Sequence, residues 1–171
     1  MRPFHYAVIG MARGKAAAGE VLWRFSLMVY SRPGVAAALI SLQDRAGHNV
    51  NLILFGLWLA VARGGRLDAA RLAGARAAID KLDRDVVLPL RRLRRELNGD
   101  PDPDIQELRR RVLALEVAAE RRVQARLAGA VTGRVGKGSR ALLAEANLKL
   151  ILGADFASRE GDVLREVAAG L

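Results

Sequence analysis

Polar side chains crowd residues 43–51, where Gln43, Asp44, His48, Asn49 and Asn51 stand at the edge of the chain's most apolar stretch. Donors and acceptors gathered so closely are the raw material of a binding pocket or a small active site, with Asp44 and His48 as its titratable members. The same residue types also serve turns and caps, because Asn and Asp side chains bond backbone amides where helices begin. Capping accounts for Asn49 and for Asp44. It accounts less well for Gln43 and Asn51, since a buried amide must find partners. A structural polar network is the preferred reading, and a ligand or partner site is the alternative. One His beside one Asp makes no metal site.

A second candidate is the basic run Arg91, Arg92, Arg94 and Arg95. On a helix these cover the face opposite Leu90, Leu93 and Leu97. They read as a solvated face balanced by Glu96 and the acids of a neighbouring helix, or as phosphate contacts to nucleic acid. Arg109-Arg110-Arg111 and Arg121-Arg122 are interleaved with Glu107, Glu116 and Glu120, which reads as surface ion pairs. Gly133-Arg134-Val135-Gly136-Lys137-Gly138 has the look of a phosphate-binding loop. Val131 stands where the first Gly belongs, however, Gly138 stands where Ser or Thr belongs, and no strand precedes it. A loop is the better reading. Trp23 and Trp58 fall on apolar stripes and read as core rather than as platforms for bases.

Other chemistries are excluded outright. The chain has no cysteine, so disulfides, thiol nucleophiles and Cys-bound metals are absent. His5 and His48 are the only histidines and lie far apart, so a multi-histidine metal centre is not expected. No catalytic constellation stands out, and neither a metal nor another cofactor is expected. The formal charge of +10 favours an acidic partner. The excess sits in residues 1–81, while residues 82–171 are close to balanced, as salt-bridged helix faces are. Most of the cations are arginines, which suit bidentate contacts but also follow from GC-rich coding.

These residues have to be positioned by helices. Aromatics make up 5% of the chain and hydrophobic residues 51%, so Ala, Leu and Val fill the core, a composition of helices rather than sheets. The spacing predicts helices over about 20–30, 33–45 and 50–63. The third is apolar nearly all round, as befits the middle of a bundle. Asp68 can cap a long helix to about Leu97, with a stripe of Leu72, Ala75, Ile79, Leu82, Val86, Pro89, Leu93 and Leu97 that keeps phase through a kink just before Pro89. Asn98 to Pro103 is a stop and restart. The partner helix runs to about Val131 on Ile105, Leu108, Val112, Leu115, Ala119, Val123 and Leu127. Ser139 can cap a helix to about Leu152, and a last helix covers about 158–169. No run alternates with period two. The expected fold is all-α: three short helices packed on a long antiparallel helical hairpin, with C-terminal helices added. The expected organisation is a flexible leader (1–18), a helical domain (19–131) and a C-terminal helical appendage (132–171).

The longest apolar run, Leu52 to Ala62, is short of the roughly 20 residues that span a bilayer. The leader imitates a signal peptide through Arg2, a short apolar stretch and Ala16-Ala17-Ala18. Arg13 and Lys15 interrupt it where a cleavage site is small and neutral. A cytoplasmic location is therefore expected, with Met11 an alternative start.

The stretch from about Leu22 to Leu97 resembles a short helical proteobacterial family of unknown function. The resemblance rests on Trp23-Arg24-Phe25-Ser26-Leu27, Tyr30, Arg32-Pro33-Gly34-Val35-Ala36, Leu42-Gln43-Asp44, Gly47, Val50-Asn51-Leu52, Leu54-Phe55 and Trp58. Val86-Val87, Pro89-Leu90-Arg91 and Leu93-Arg94 extend it. The chain departs from that pattern at Asn49, where the family has an aspartate, and in its leader and C-terminal part. The resemblance implies a helical, intracellular protein and carries no activity. The functional expectation is a non-catalytic interaction module for a protein or nucleoprotein partner, self-association included. The alternatives are a small helical enzyme or ligand-binding protein using residues 43–51, and a nonspecific basic binder of nucleic acid.

Overall fold

A computed structural model of the chain describes residues 18–130 and 138–171. The leader, apart from Ala18, and all of the Gly133–Gly138 loop except Gly138 lie outside the described residues. Among the described residues the structure is helical, with no strand: α1 (Ala18–Tyr30), α2 (Val35–Ala46), α3 (Val50–Arg63), α4 (Ala69–Leu82), α5 (Leu88–Glu96), α6 (Pro103–Ala130), α7 (Arg140–Leu152) and α8 (Arg159–Ala169). No single described helix is long and apolar enough to cross a membrane.

Local chemistry sets most of the boundaries. The chain turns through 104° between α1 and α2. Gly34 makes that turn at φ 77°, a left-handed conformation that side chains with a Cβ resist. For that reason α2 starts at Val35, and Pro33 lies in the turn rather than in the first helical turn. Asn49 caps α3 by accepting from Leu52 N–H at 3.2 Å, and Asp68 caps α4 by accepting from Arg71 N–H at 2.8 Å. Asp100 and Asp102 hold the hairpin turn by accepting from Asp102 N–H and Asp104 N–H, and Pro103 opens α6.

Helix α3 is the axis of the core, buried continuously from Val50 to Ala60. Its most extensive neighbour is α7. The two cross closely because position 56 is glycine: a Cβ there would stand 2.5 Å from Ile151 Cδ1. Fully buried Asn147 of α7 ties three segments together. Its Oδ1 accepts from Leu67 N–H at 2.7 Å, and its Nδ2 donates to the carbonyls of Gly56 and Gly65. Leu148, Leu152 and Leu164 share one continuous core with Phe55 and Trp58. The C-terminal helices, expected as an appendage, thus supply part of the core that encloses α3.

The long hairpin differs from its expected register. Pro89 has no N–H to donate to the Asp85 carbonyl, and its ring crowds that oxygen. The chain widens there into a π-turn over Asp83–Val87, with Leu88 N–H bonded to the carbonyl of Asp83. One additional residue in a helical turn rotates everything after it. The inward face therefore runs through Val87, Leu90, Arg91, Arg94 and Leu97, and the expected Val86, Pro89 and Leu93 are exposed. Val86 is 37% exposed and Val87 fully enclosed. The α6 face is shifted as well: Glu116 and Gln124 are buried beside Val112, Ala119, Val123 and Leu127, whereas Leu108 and Leu115 are exposed.

Candidate functional site

The structure distributes residues 43–51 among several tasks. Gln43 Nε2 donates to Asp44 Oδ1 at 3.2 Å, and Asp44 takes Arg95 Nη2 at 2.5 Å in an exposed pair. The hydrogen bond from Arg95, then that from Gln43, holds the Asp44 carboxyl below its ordinary range. His48 turns the other way, its Nε2 standing 2.8 Å from Asp155 Oδ2 in the turn before α8. It borders a separate depression of about 260 Å³ with Asn49, Arg76, Asp80 and Asp83. Burial pushes the Asp83 carboxyl up, against the opposing charge of Arg91. Asn49 is engaged as a cap. Asn51 alone of the five is buried, and His48 and Asn51 line different depressions, neither of which Asp44 lines.

Asn51 instead opens onto a cavity of about 380 Å³, bounded by α1, α2, the start of α3, α5 and α6. The register shift after Asp83 builds one wall of it. Arg91 and Arg94, three residues apart, now face α6, where Glu116 and Glu120 sit one turn apart. Glu116 accepts from Arg91 Nε at 3.1 Å and from Arg94 Nε at 2.5 Å, and Arg91 Nη2 reaches Glu120 Oε1 at 2.5 Å. These four are largely shielded from water, unlike the exposed pairs elsewhere on the helices. Of the four arginines expected on one solvated face, Arg92 and Arg95 face outward and Arg91 and Arg94 inward.

The electrostatics of the floor follow from this packing. Desolvation pushes the Glu116 carboxyl up, but hydrogen bonds from Arg94 and Arg91 outweigh it and hold the group below its ordinary range. At Glu120 burial wins over Arg91, and the carboxyl is raised. The hydrogen bond to Glu116 raises Arg94. Burial, then the negative charge of Glu120, pushes the Tyr30 hydroxyl up to about 12, so it stays a neutral donor. Both Glu116 oxygens are engaged by arginine, so it is not free to act as a general base.

Beside the ion pairs runs a chain of neutral polar groups. Ser26 Oγ lies 2.9 Å from the Leu22 carbonyl and 3.1 Å from Gln124 Oε1. Gln124 Nε2 donates to Asn51 Oδ1 at 2.9 Å. That leaves Asn51 Nδ2 with no hydrogen bond among the described residues, although Asn51 is only 4% exposed. The Tyr30 hydroxyl likewise has no hydrogen-bond partner among them. Around the mouth the walls are apolar: Leu27, Ile40, Leu113 and Val117 are all exposed and all line the cavity.

Sequence reasoning passed over Tyr30, Gln124, Glu116 and Glu120 as site residues. A signal was available: acids at i and i+4 amid the apolar stripe of one helix face arginines at i and i+3 on the next. Among the described residues no group of three or more His, Asp or Glu side chains is arranged to hold a metal ion.

The model of a family described as "Protein of unknown function (DUF2390)" matches residues 21–127. No curated protein and no solved structure matches the chain. The matched segment contains the whole cavity lining. Many residues that carry the sequence resemblance converge on it: Trp23, Ser26, Leu27, Tyr30, Gln43, Val50, Asn51, Arg91 and Arg94.

Proposed function

This chain belongs to the DUF2390 family, and from the cavity its matched segment builds we propose that it is a non-catalytic interaction module that seats part of a protein partner there. The observation carrying this reading is the conjunction of an exposed apolar rim, at Leu27, Ile40, Leu113 and Val117, with a buried polar floor. Monomeric proteins rarely group apolar side chains around an opening that nothing fills. A rim of that kind supplies contact area, and convergent polar groups beneath it supply orientation.

The competing readings have less support. Of the four candidate arginines, Arg91, Arg94 and Arg95 are engaged by carboxylates, and Arg92 alone has no such partner among the described residues. An engaged arginine offers little to a phosphate backbone. An enzyme built on Asp44, His48 and Asn51 has less support because His48 and Asn51 line different depressions and Asp44 lines neither. The lack of cysteine is in keeping with a cytoplasmic setting for the interaction.

The test is capture of partners by the tagged full chain from a lysate of its own cells, with and without nuclease, alongside Leu27→Asp and Val117→Asp. Both positions are exposed, so the variants should fold. Nuclease-resistant capture that is lost in both variants supports the proposal. Capture abolished by nuclease, or unchanged in both variants, refutes it.

A further inference from the structure

The chemistry of the cavity narrows what it can hold. Its formal charges cancel in pairs: Arg91 and Arg94 stand against Glu116 and Glu120, each joined by hydrogen bonds. The remaining lining contributed by α1, α2 and α3 is uncharged, with Trp23, Ser26, Tyr30, Gln43, Val50 and Asn51. A charged head group entering here would lose its hydration and meet no unmatched counter-charge. The free functions are donors. Asn51 Nδ2 faces the cavity with no partner among the described residues, and its amide is oriented by Gln124 on its other side. The Tyr30 hydroxyl is a second donor, held neutral across the physiological range. A donor that meets only the cavity's solvent is free to bond a ligand, so each favours one that brings an acceptor. The mouth is apolar, and the volume of about 380 Å³ lies at the small end of the range for ligand sites.

We infer that the cavity takes an uncharged peptide amide bearing a branched apolar side chain, its carbonyl oxygen accepting from Asn51 Nδ2 and the Tyr30 hydroxyl while the side chain packs on Leu27, Ile40, Leu113 and Val117. The inference rests on the protein-partner reading and specifies its ligand: an apolar residue within a chain, not a free carboxylate terminus and not an ammonium.

The probes are N-acetyl-leucine N-methylamide, which is neutral, N-acetyl-leucine, which is anionic, and leucine N-methylamide, which is cationic. Each is titrated into the full chain, with the Trp23 indole N–H and the Asn51 side-chain amide followed by NMR. The neutral probe should move both signals saturably, with each charged probe at least about tenfold weaker. Tyr30→Phe should weaken the neutral probe by about fivefold, the loss of one net hydrogen bond, and leave the thermal midpoint unchanged because that hydroxyl bonds none of the described residues. A charged probe that binds as well as the neutral one overturns the inference, and so does Tyr30→Phe binding as tightly as wild type. Absence of shifts from any probe, with partner capture still lost in the rim variants, removes the ligand chemistry and leaves the interaction module standing. Neutral-probe binding with capture unaffected by the rim variants upholds the ligand chemistry and removes the protein-partner reading.

Discussion

Glu116→Gln probes the least expected feature of the fold, an ion-pair cluster turned inward on a helix that reads as solvated. Glu116 receives contacts from Arg91 Nε and from both Nε and Nη2 of Arg94. The substitution keeps the shape and removes one negative charge, shifting the cluster from neutral to +1. Arg91 retains Glu120, but Arg94 has no second carboxylate in hydrogen-bond contact among the described residues. Stranding a buried charge in this way costs roughly 3–5 kcal/mol. The Arg94 side chain is 23% exposed and can swing partly into water, and glutamine still offers one acceptor, so the lower end applies, about 3 kcal/mol. Urea unfolding followed by the fluorescence of Trp23 and Trp58 reads this directly. With a slope near 2 kcal/mol/M, the midpoint should fall by roughly 1.5 M at unchanged slope. Replacing the pair together, as Arg94→Met with Glu116→Leu, should restore most of the loss, because an apolar pair strands no charge. A loss below about 1 kcal/mol for Glu116→Gln would show that the cluster is solvated and that α5 does not face α6 as described.

The π-turn makes Val87→Ala cost about 2 kcal/mol, a buried side chain shortened beside a fixed core, while Val86→Ala stays within about 0.5 kcal/mol; the reverse order in thermal melts would restore the unshifted register. Asn147→Leu orphans Leu67 N–H and the carbonyls of Gly56 and Gly65, and should cost about 3 kcal/mol or more by denaturant titration, at 1–3 kcal/mol per unsatisfied buried group. The pH dependence has two limbs. Glu120 is raised by burial, so its charging penalty, fully present above its folded value, is relieved as pH falls through that value; Glu116 is lowered, so its stabilisation is present above 4.5 and lost as pH falls below it. Thermal midpoints should therefore rise on mild acidification and fall under stronger acid, and Glu120→Gln should flatten the rise; a steady decline from neutral pH would contradict these directions.

Much of the fold is legible because the signals are local. Asn49 and Asp68 cap where a side-chain oxygen must meet a bare N–H, Gly47 and Gly64 end helices in the left-handed conformation, and the all-apolar α3 has nowhere to lie but the centre. The candidate site was harder to read because its walls depend on a single inserted turn residue. Val86 and Val87 are the same residue type, so an apolar stripe can be drawn through either, and drawing it through Val86 keeps Leu93 inside and sends Arg91 and Arg94 to solvent. The structure makes the opposite choice because Pro89 cannot complete the bond to Asp85 and because Glu116 and Glu120 wait on α6. Such complementarity across helices is invisible to a reading of one helix at a time. Asn51, by contrast, stands out as an amide amid apolar neighbours, and with Gln43 it lines the cavity. The helix expected from Ser139 to about Leu152 reads as peripheral only because it follows a loop in sequence, whereas its most extensive contacts are with α3, far earlier in the chain.

Hydrogen–deuterium exchange of the full chain with and without its captured partner tests most directly whether the cavity is the binding site. Protection is expected in α1 around Trp23–Tyr30, at the start of α3 and along α6 around Leu113–Glu120, with Leu27→Asp abolishing it. Protection confined to the outer faces of α4, α7 and α8, with these segments unchanged, would place the interaction elsewhere and contradict the proposed function.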